Sequence, residues 1–236
     1  MPYRWPGPAK VAERQAMKRG GVFDLDGTLA ATASAHLEAW LMAVRDLGLE
    51  QVEVDVRELL GMRAHDIAVK ILRAAGVSPT RELVEALISL KQGHFERECL
   101  RSVSPRPCAL EIYSAVKRRG GAFVVVTSSL RSSATLILSR VGIAPDVLVA
   151  GDDVSKGKPD PEPVEAALKG AGLGPGDVFA VGDTVYDLQA YQAAGIRSIY
   201  LVRGDVDVDV SPDLVRSLGA VAVDTLCDVM SLEGLA

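Results

Sequence analysis

The sequence predicts an α/β protein, a doubly wound parallel sheet with a small all-helical insertion after its first strand. Three observations carry this. From Ser104 onward, short apolar runs alternate with amphipathic stretches, as strands and helices do around a parallel sheet. The runs FVVVT and VFAVG are apolar at successive positions, as strands buried on both faces should be. Between Ser34 and Leu100 no strand pattern occurs, and apolar residues recur at helical spacing instead.

In chain order, residues 20–25 (GGVFDL) read as the first strand, running into DGT. Leu37, Trp40, Leu41, Val44 and Leu47 then form one helical stripe. Ile67, Ile71, Leu72 and Ala75 form a second, ended by Gly76, and Leu83, Leu87, Leu90 and His94 a third. Residues 123–126 are a strand, followed by a stripe at Leu130, Ala134, Ile137, Leu138 and Val141. Residues 146–149 are a strand and 162–168 a helix; 178–181 are a strand, followed by a helix through Ala194. Residues 196–202 give another strand and 221–223 a weak last one. This divides the chain into an extension over 1–16, a core over 17–32 and 102–236, and a helical insertion over 33–101. The insertion hangs on linkers at 30–33 and 101–107, the second stiffened by Pro105 and Pro107.

The 236 residues are 48% hydrophobic and 24% charged, which gives ample core and excludes disorder and coiled coil. A net charge of −5 offers no general attraction to nucleic acid or to an anionic membrane. No apolar run approaches the ~20 residues that span a bilayer, and residues 1–16 lack the apolar segment of a secretory signal. Cys99, Cys108 and Cys227 are odd in number and lack CxxC spacing, so they read as reduced thiols. The expectation is a cytoplasmic protein, monomeric or homodimeric.

Four motifs close four of the strands. In Asp24-Leu25-Asp26-Gly27-Thr28, alternation places both carboxylates on one side at the strand's carboxyl end, where open α/β sheets bind ligands. A turn with an Asx-type cap is the competing reading. Thr127-Ser128-Ser129 offers hydroxyls and free amides to an anion, or simply a helix N-cap. In Lys156-Gly157-Lys158-Pro159-Asp160-Pro161, the prolines stiffen the loop so that Lys158 can be aimed rather than merely solvated. In Gly182-Asp183-Thr184-Val185-Tyr186-Asp187, the two carboxylates lie one helical turn apart, a spacing that a capping box also explains for Asp187. Four carboxylates in one pocket require a divalent cation, and an all-oxygen set suits Mg²⁺. With a lysine and hydroxyl donors beside it, one carboxylate can serve as the nucleophile of phosphoryl transfer.

On these four motifs, in order over residues 20–203, the chain resembles the haloacid dehalogenase superfamily of phosphatases. The helical insertion is similar to the cap of the subgroup containing phosphoglycolate phosphatase and β-phosphoglucomutase. The resemblance implies a Rossmann-like core and a Mg²⁺-dependent hydrolase of a small phosphorylated metabolite, with phosphoglycolate the first substrate to consider. It implies Asp24 as nucleophile, Asp26 as general acid and base, and Thr127, Ser128 and Lys158 as phosphate-binding residues. Asp24, the backbone carbonyl of Asp26 and Asp183 would ligate Mg²⁺, with Asp187 in or beside that set. Thr28 stands where the mutases usually carry valine, which favours hydrolysis over the mutase alternative; intact motifs argue against a non-catalytic binding protein. Ala31 replaces an acid common in the subgroup, whereas the following Thr32 fits. His36, Arg63 and Lys91, with His65 beside them, are the insertion's candidates for substrate contact, against the reading that they are solvated polar faces.

Overall fold

The computed structural model describes residues 20–49, 55–204 and 210–235, and the expected extension over 1–16 lies outside them. Strands β1 (Gly20–Phe23), β4 (Ala122–Val126), β5 (Val147–Val149), β6 (Val178–Gly182), β7 (Ser198–Val202) and β8 (Ala220–Val223) form one parallel sheet in the order β5-β4-β1-β6-β7-β8. Chain order reverses at β1, which pairs with β4 on one side and β6 on the other. The carboxyl end of β1 is therefore the topological switch point, where such sheets bind ligands.

Alternation along the strands builds two separate cores. Phe23, Phe123 and Phe179 point to one face, with Phe23 stacked on Phe123 at 4.3 Å and edge-on to Phe179 at 5.5 Å. Val22, Val124 and Ala180 point to the other, beneath Leu188 and Tyr191. At Gly21, a Cβ would sit 2.6 Å from the Phe23 ring and 2.7 Å from that of Phe179, so only glycine lets the aromatic cluster close over β1.

The layers that flank the sheet are α4 (Ala109–Arg118), α5 (Arg131–Val141), α6 (Glu162–Ala171), α7 (Val185–Ala193), α8 (Pro212–Ser217) and α9 (Leu226–Leu232). The insertion carries α1 (Ala33–Asp46), α2 (Ala64–Ala74) and α3 (Arg81–His94), and α3 runs on through a π turn at Phe95–Cys99. These helices close on a core of their own, including Trp40, Ile67, Ile71, Leu72 and Leu87. The two linkers do not run separately. β2 (Ala30–Ala31) pairs antiparallel with β3 (Ser104–Pro105), Ala30 opposite Pro105 and Ala31 opposite Ser104. Strands of two residues leave no periodicity to read, which is why this ladder escapes sequence analysis.

One expectation is overturned. Cys108 and Cys227 are not free thiols but a disulfide, with Cα atoms 5.4 Å apart; Cys99 remains a buried thiol. Cys108 caps the start of α4 and Cys227 lies in α9, and these two helices pack together. A sequence separation of 119 residues gave no hint of that proximity. The cytoplasmic expectation loses the support it drew from reduced cysteines. Among the described residues no helix is long and apolar enough to cross a membrane. Closing so long a loop restricts the unfolded chain, so reduction should lower stability by about 2–4 kcal/mol. Urea unfolding of the wild type, with and without reductant, checks this against Cys227→Ser. A reductant-insensitive wild-type midpoint would contradict it.

Candidate active site

The carboxyl ends of β1, β4 and β6 converge on one buried lysine. The amide of Asp24, just past β1, still donates to the Val181 carbonyl at 2.9 Å, which holds this residue at the strand's end. Lys158 Nζ donates to Asp24 Oδ1 at 2.6 Å, to Asp187 Oδ1 at 2.5 Å and to the Val126 carbonyl at 3.1 Å. All three side chains of this ion triad are buried. The other Asp187 oxygen accepts from the Thr184 amide at 3.0 Å and hydroxyl at 2.6 Å, capping α7. Asp187 thus caps α7 with one oxygen and pairs with Lys158 through the other.

Asp183 completes the acidic group. Oxygen atoms of Asp24, Asp183 and Asp187 all lie within 4.8 Å of one another. The Thr28 hydroxyl donates to Asp183 Oδ1 at 3.0 Å. Gly27, at φ 86°, is what lets this carboxylate come close: a Cβ there would fall 2.1 Å from Asp183 Oδ2. When all three are ionised, three carboxylates against one ammonium leave two negative charges, the complement of a divalent cation. Asp24 is buried within this group. Burial pushes its pKa up to about 8; Lys158 works against the rise, and Asp187 and Asp26 add to it. Burial also opposes the charge on Lys158, but Asp187 and Asp24 outweigh it and hold the lysine above its ordinary pKa. An all-oxygen donor set with this charge fits Mg²⁺.

The Asp26 side chain lies outside that group of three, although it lines the same cavity and its charge adds to the rise at Asp24. Its side chain has its own compensation. Oδ1 accepts from the Thr32 hydroxyl at 2.9 Å and meets His36 Nε2 at 2.8 Å. Oδ2 accepts from the Thr127 hydroxyl at 2.9 Å and the Ser129 hydroxyl at 2.8 Å. Burial alone would raise Asp26, but His36 and the two hydroxyls hold it well below the usual carboxylate range. Behind His36, Lys91 Nζ lies 2.8 Å from Nδ1. An ammonium has only donors, so Lys91 occupies Nδ1 and leaves Nε2–H to donate to Asp26. His36 stacks on Phe95 at 4.5 Å, and Lys91 lies over the Phe95 ring at 4.9 Å.

Asp24, Asp26, His36, Lys91, Ser128, Lys158, Asp183 and Asp187 all line one cavity between the sheet's end and the insertion. The Ser128 hydroxyl is buried with no hydrogen-bond partner, an orphaned donor at the cavity wall. Two expected residues fall elsewhere. Arg63 is drawn away: its guanidinium donates to the Ser155 carbonyl at 2.9 Å and to Asp66 at 3.1 Å, tying the insertion to the core. His65 is exposed beside Asp66. Ser129, the last residue of the hydroxyl motif, and Trp40, in the insertion's first helical stripe, line the cavity as well. A latch from Gln92 to Ser132 and Ser133, at 3.2 and 2.6 Å, went unseen in the sequence.

This geometry is that of a Rossmann-like α/β core with a cavity lined by carboxylates and a lysine at its switch point. The family model of haloacid dehalogenase-like hydrolases matches residues 22–201, and the chain belongs to that family. It is 31% identical over 217 residues to a plasmid-encoded phosphoglycolate phosphatase of Cupriavidus necator, covering 91% of this chain and 90% of that one. It is 30% identical over 220 residues to an N-acetylmuramic acid 6-phosphate phosphatase of Pseudomonas aeruginosa, covering 88% and 96%. In fold it is similar to CbbY from Rhodobacter sphaeroides, solved in complex with phosphate, with a TM-score of 0.77 at 23% identity over 90% of this chain and 96% of that one.

Burial pulls the Lys91 pKa down to about 8 from 10.5, the nearby Asp26 opposing the shift. Between those two pH values the unfolded chain binds more protons at this residue than the folded one, so stability should rise with pH across that window. Lys91→Met should remove that rise. Denaturation midpoints from pH 7 to 11 check it, and parallel pH profiles for the two proteins would contradict it.

Proposed function

We propose that this chain is a Mg²⁺-dependent phosphatase that hydrolyses a small phosphorylated metabolite through an aspartyl phosphate on Asp24. One observation supports this most: a buried carboxylate at the switch point, bonded to Lys158 and grouped with Asp183 and Asp187 at a net charge that a divalent cation completes. Asp24, Asp183 and the backbone carbonyl of Asp26 would hold the ion, with Asp187 in or beside the set. Bound there, Mg²⁺ supplies neutralising charge for the phosphoryl oxygens.

The chain's own residues account for the remaining steps. Lys158 and the Ser128 hydroxyl bind phosphoryl oxygens, and Thr127 and Ser129 can turn from Asp26 to do the same. That turn takes two donors from Asp26 while a dianion arrives beside it, and both changes raise its pKa towards protonation. Asp24 then attacks phosphorus. The bond to the leaving oxygen breaks as the new P–O bond forms, and that oxygen takes the Asp26 proton. Water next attacks the phosphorus of the aspartyl phosphate and gives a proton to Asp26, now a carboxylate held by His36. Asp24 is regenerated and inorganic phosphate leaves. Closure of the insertion, tied down by Arg63 on Ser155 and by Gln92 on Ser132 and Ser133, would exclude bulk water. Phosphoglycolate belongs among the substrates to test, because relatives at 28–31% identity are named for it.

Asp24→Asn should abolish turnover of p-nitrophenyl phosphate while binding persists, and Asp26→Asn should cost about 10²–10⁴-fold. Excess EDTA should remove wild-type activity, and Mg²⁺ should restore it. Ca²⁺ should inhibit, since its larger coordination number can draw both Asp24 oxygens onto the metal. Full activity in EDTA, or a substantial rate in Asp24→Asn, would contradict the mechanism.

A further inference from the structure

The two walls of the cavity differ in chemistry. The core side is polar, built on Asp24, Asp26, Ser128 and Lys158. The opposite side is made by Trp40, Leu60, Met62 and Ile67 of the insertion, continued by Leu130 of the core. Among the described residues of the insertion, one lysine or arginine lines the cavity: Lys91, bonded to His36 and seated over the Phe95 and Trp40 rings at 4.9 and 5.7 Å, away from the apolar wall's own side chains at Leu60, Met62 and Ile67. Arg63, which could have read a second anion, is turned to Ser155 and Asp66.

An ionised group on the leaving alcohol that sat against Trp40, Leu60, Met62 and Ile67 would lose its water and meet no charged side chain there among the described residues, a desolvation that remains uncompensated. Hydrocarbon placed there gains instead, by about fourfold in affinity for each buried methylene. Resting on the phosphatase reading above, we propose that this site takes phosphate monoesters whose leaving group presents an apolar carbon face and carries no second ionised group. The polar core side would hold the phosphoryl group, and the Trp40–Met62 wall would hold the hydrocarbon. Phosphoglycolate, whose leaving group carries a carboxylate beside the ester, falls outside that class.

The test is a series of n-alkyl phosphates from ethyl to hexyl, with phosphoglycolate and p-nitrophenyl phosphate, under saturating Mg²⁺. Leaving-group basicity is nearly constant along the alkyl series, so its trend reports on the wall. The expected result is a kcat/KM that rises with chain length and exceeds that of phosphoglycolate by at least about tenfold at hexyl, the size of two buried methylenes. Met62→Arg, on the half-buried rim, should flatten the alkyl trend and raise phosphoglycolate. A flat alkyl series, or phosphoglycolate preferred over hexyl phosphate, would overturn the inference. If no ester is hydrolysed, p-nitrophenyl phosphate included, the phosphatase reading itself fails. Calorimetric binding to the wild type then decides the wall separately: tighter hexyl phosphate supports the apolar class, and tighter phosphoglycolate overturns it.

Discussion

Everything in the site depends on Lys158 standing between Asp24 and Asp187. A buried ammonium shared by two carboxylates is expensive to desolvate, and it persists only where the surrounding structure fixes all three groups. Here β1 delivers Asp24, the start of α7 delivers Asp187 already oriented by Thr184, and the carbonyl of Val126 in β4 takes another proton of the lysine. The three elements meet because β1 is central and flanked by β4 and β6. The sheet order and the ion triad are therefore one fact seen at two scales. The apolar, two-sided burial of the strands supplies the rigidity, and the triad uses it.

The same site divides its charge into two compartments. Asp24, Asp183 and Asp187 carry more negative charge than Lys158 can balance, which leaves a place for a divalent cation. Asp26, two residues from Asp24, is instead satisfied by hydroxyls and by the His36–Lys91 pair from the insertion. That pairing couples the insertion to the core through a titratable group. Moving α1 or α3 away from the sheet would remove His36 and Lys91 from Asp26 and change its acidity. On the proposed mechanism, any opening of the insertion would therefore alter the proton chemistry of Asp26.

Much of the core was legible in the sequence, because its signals are local. The strands announce themselves as apolar runs between turn residues, and each site motif is a short stretch closing one of them. Asp24, Lys158, Asp183 and Asp187 meet as the doubly wound order requires. What escaped is what depends on distance in space. Cys108 and Cys227 pair because α4 packs on α9, a contact with no sequence signature. The β2–β3 ladder is too short for a pattern. Arg63 was one candidate for substrate contact against the reading of a solvated polar face, and its guanidinium is bonded to Asp66 and to Ser155, a partner that adjacent sequence does not reveal. Asp26 was grouped with the other acids because alternation gives a side and not a partner; its four partners come from α1, its N-terminal flank and the loop after β4.

On the proposed mechanism the Asp24 carboxylate, held by Lys158, takes the phosphoryl group. Single-turnover hydrolysis in ¹⁸O-labelled water, with enzyme in excess over p-nitrophenyl phosphate, tests it directly when the chain is then digested and weighed. If water attacks the phosphorus of an aspartyl phosphate, rapid quenching during the turnover should find one phosphoryl group on the peptide containing Asp24. The label should appear in the released phosphate and not in that peptide. Labelled phosphate with no phosphoryl group on Asp24 at any time during the turnover would mean direct attack by water, and would contradict the account.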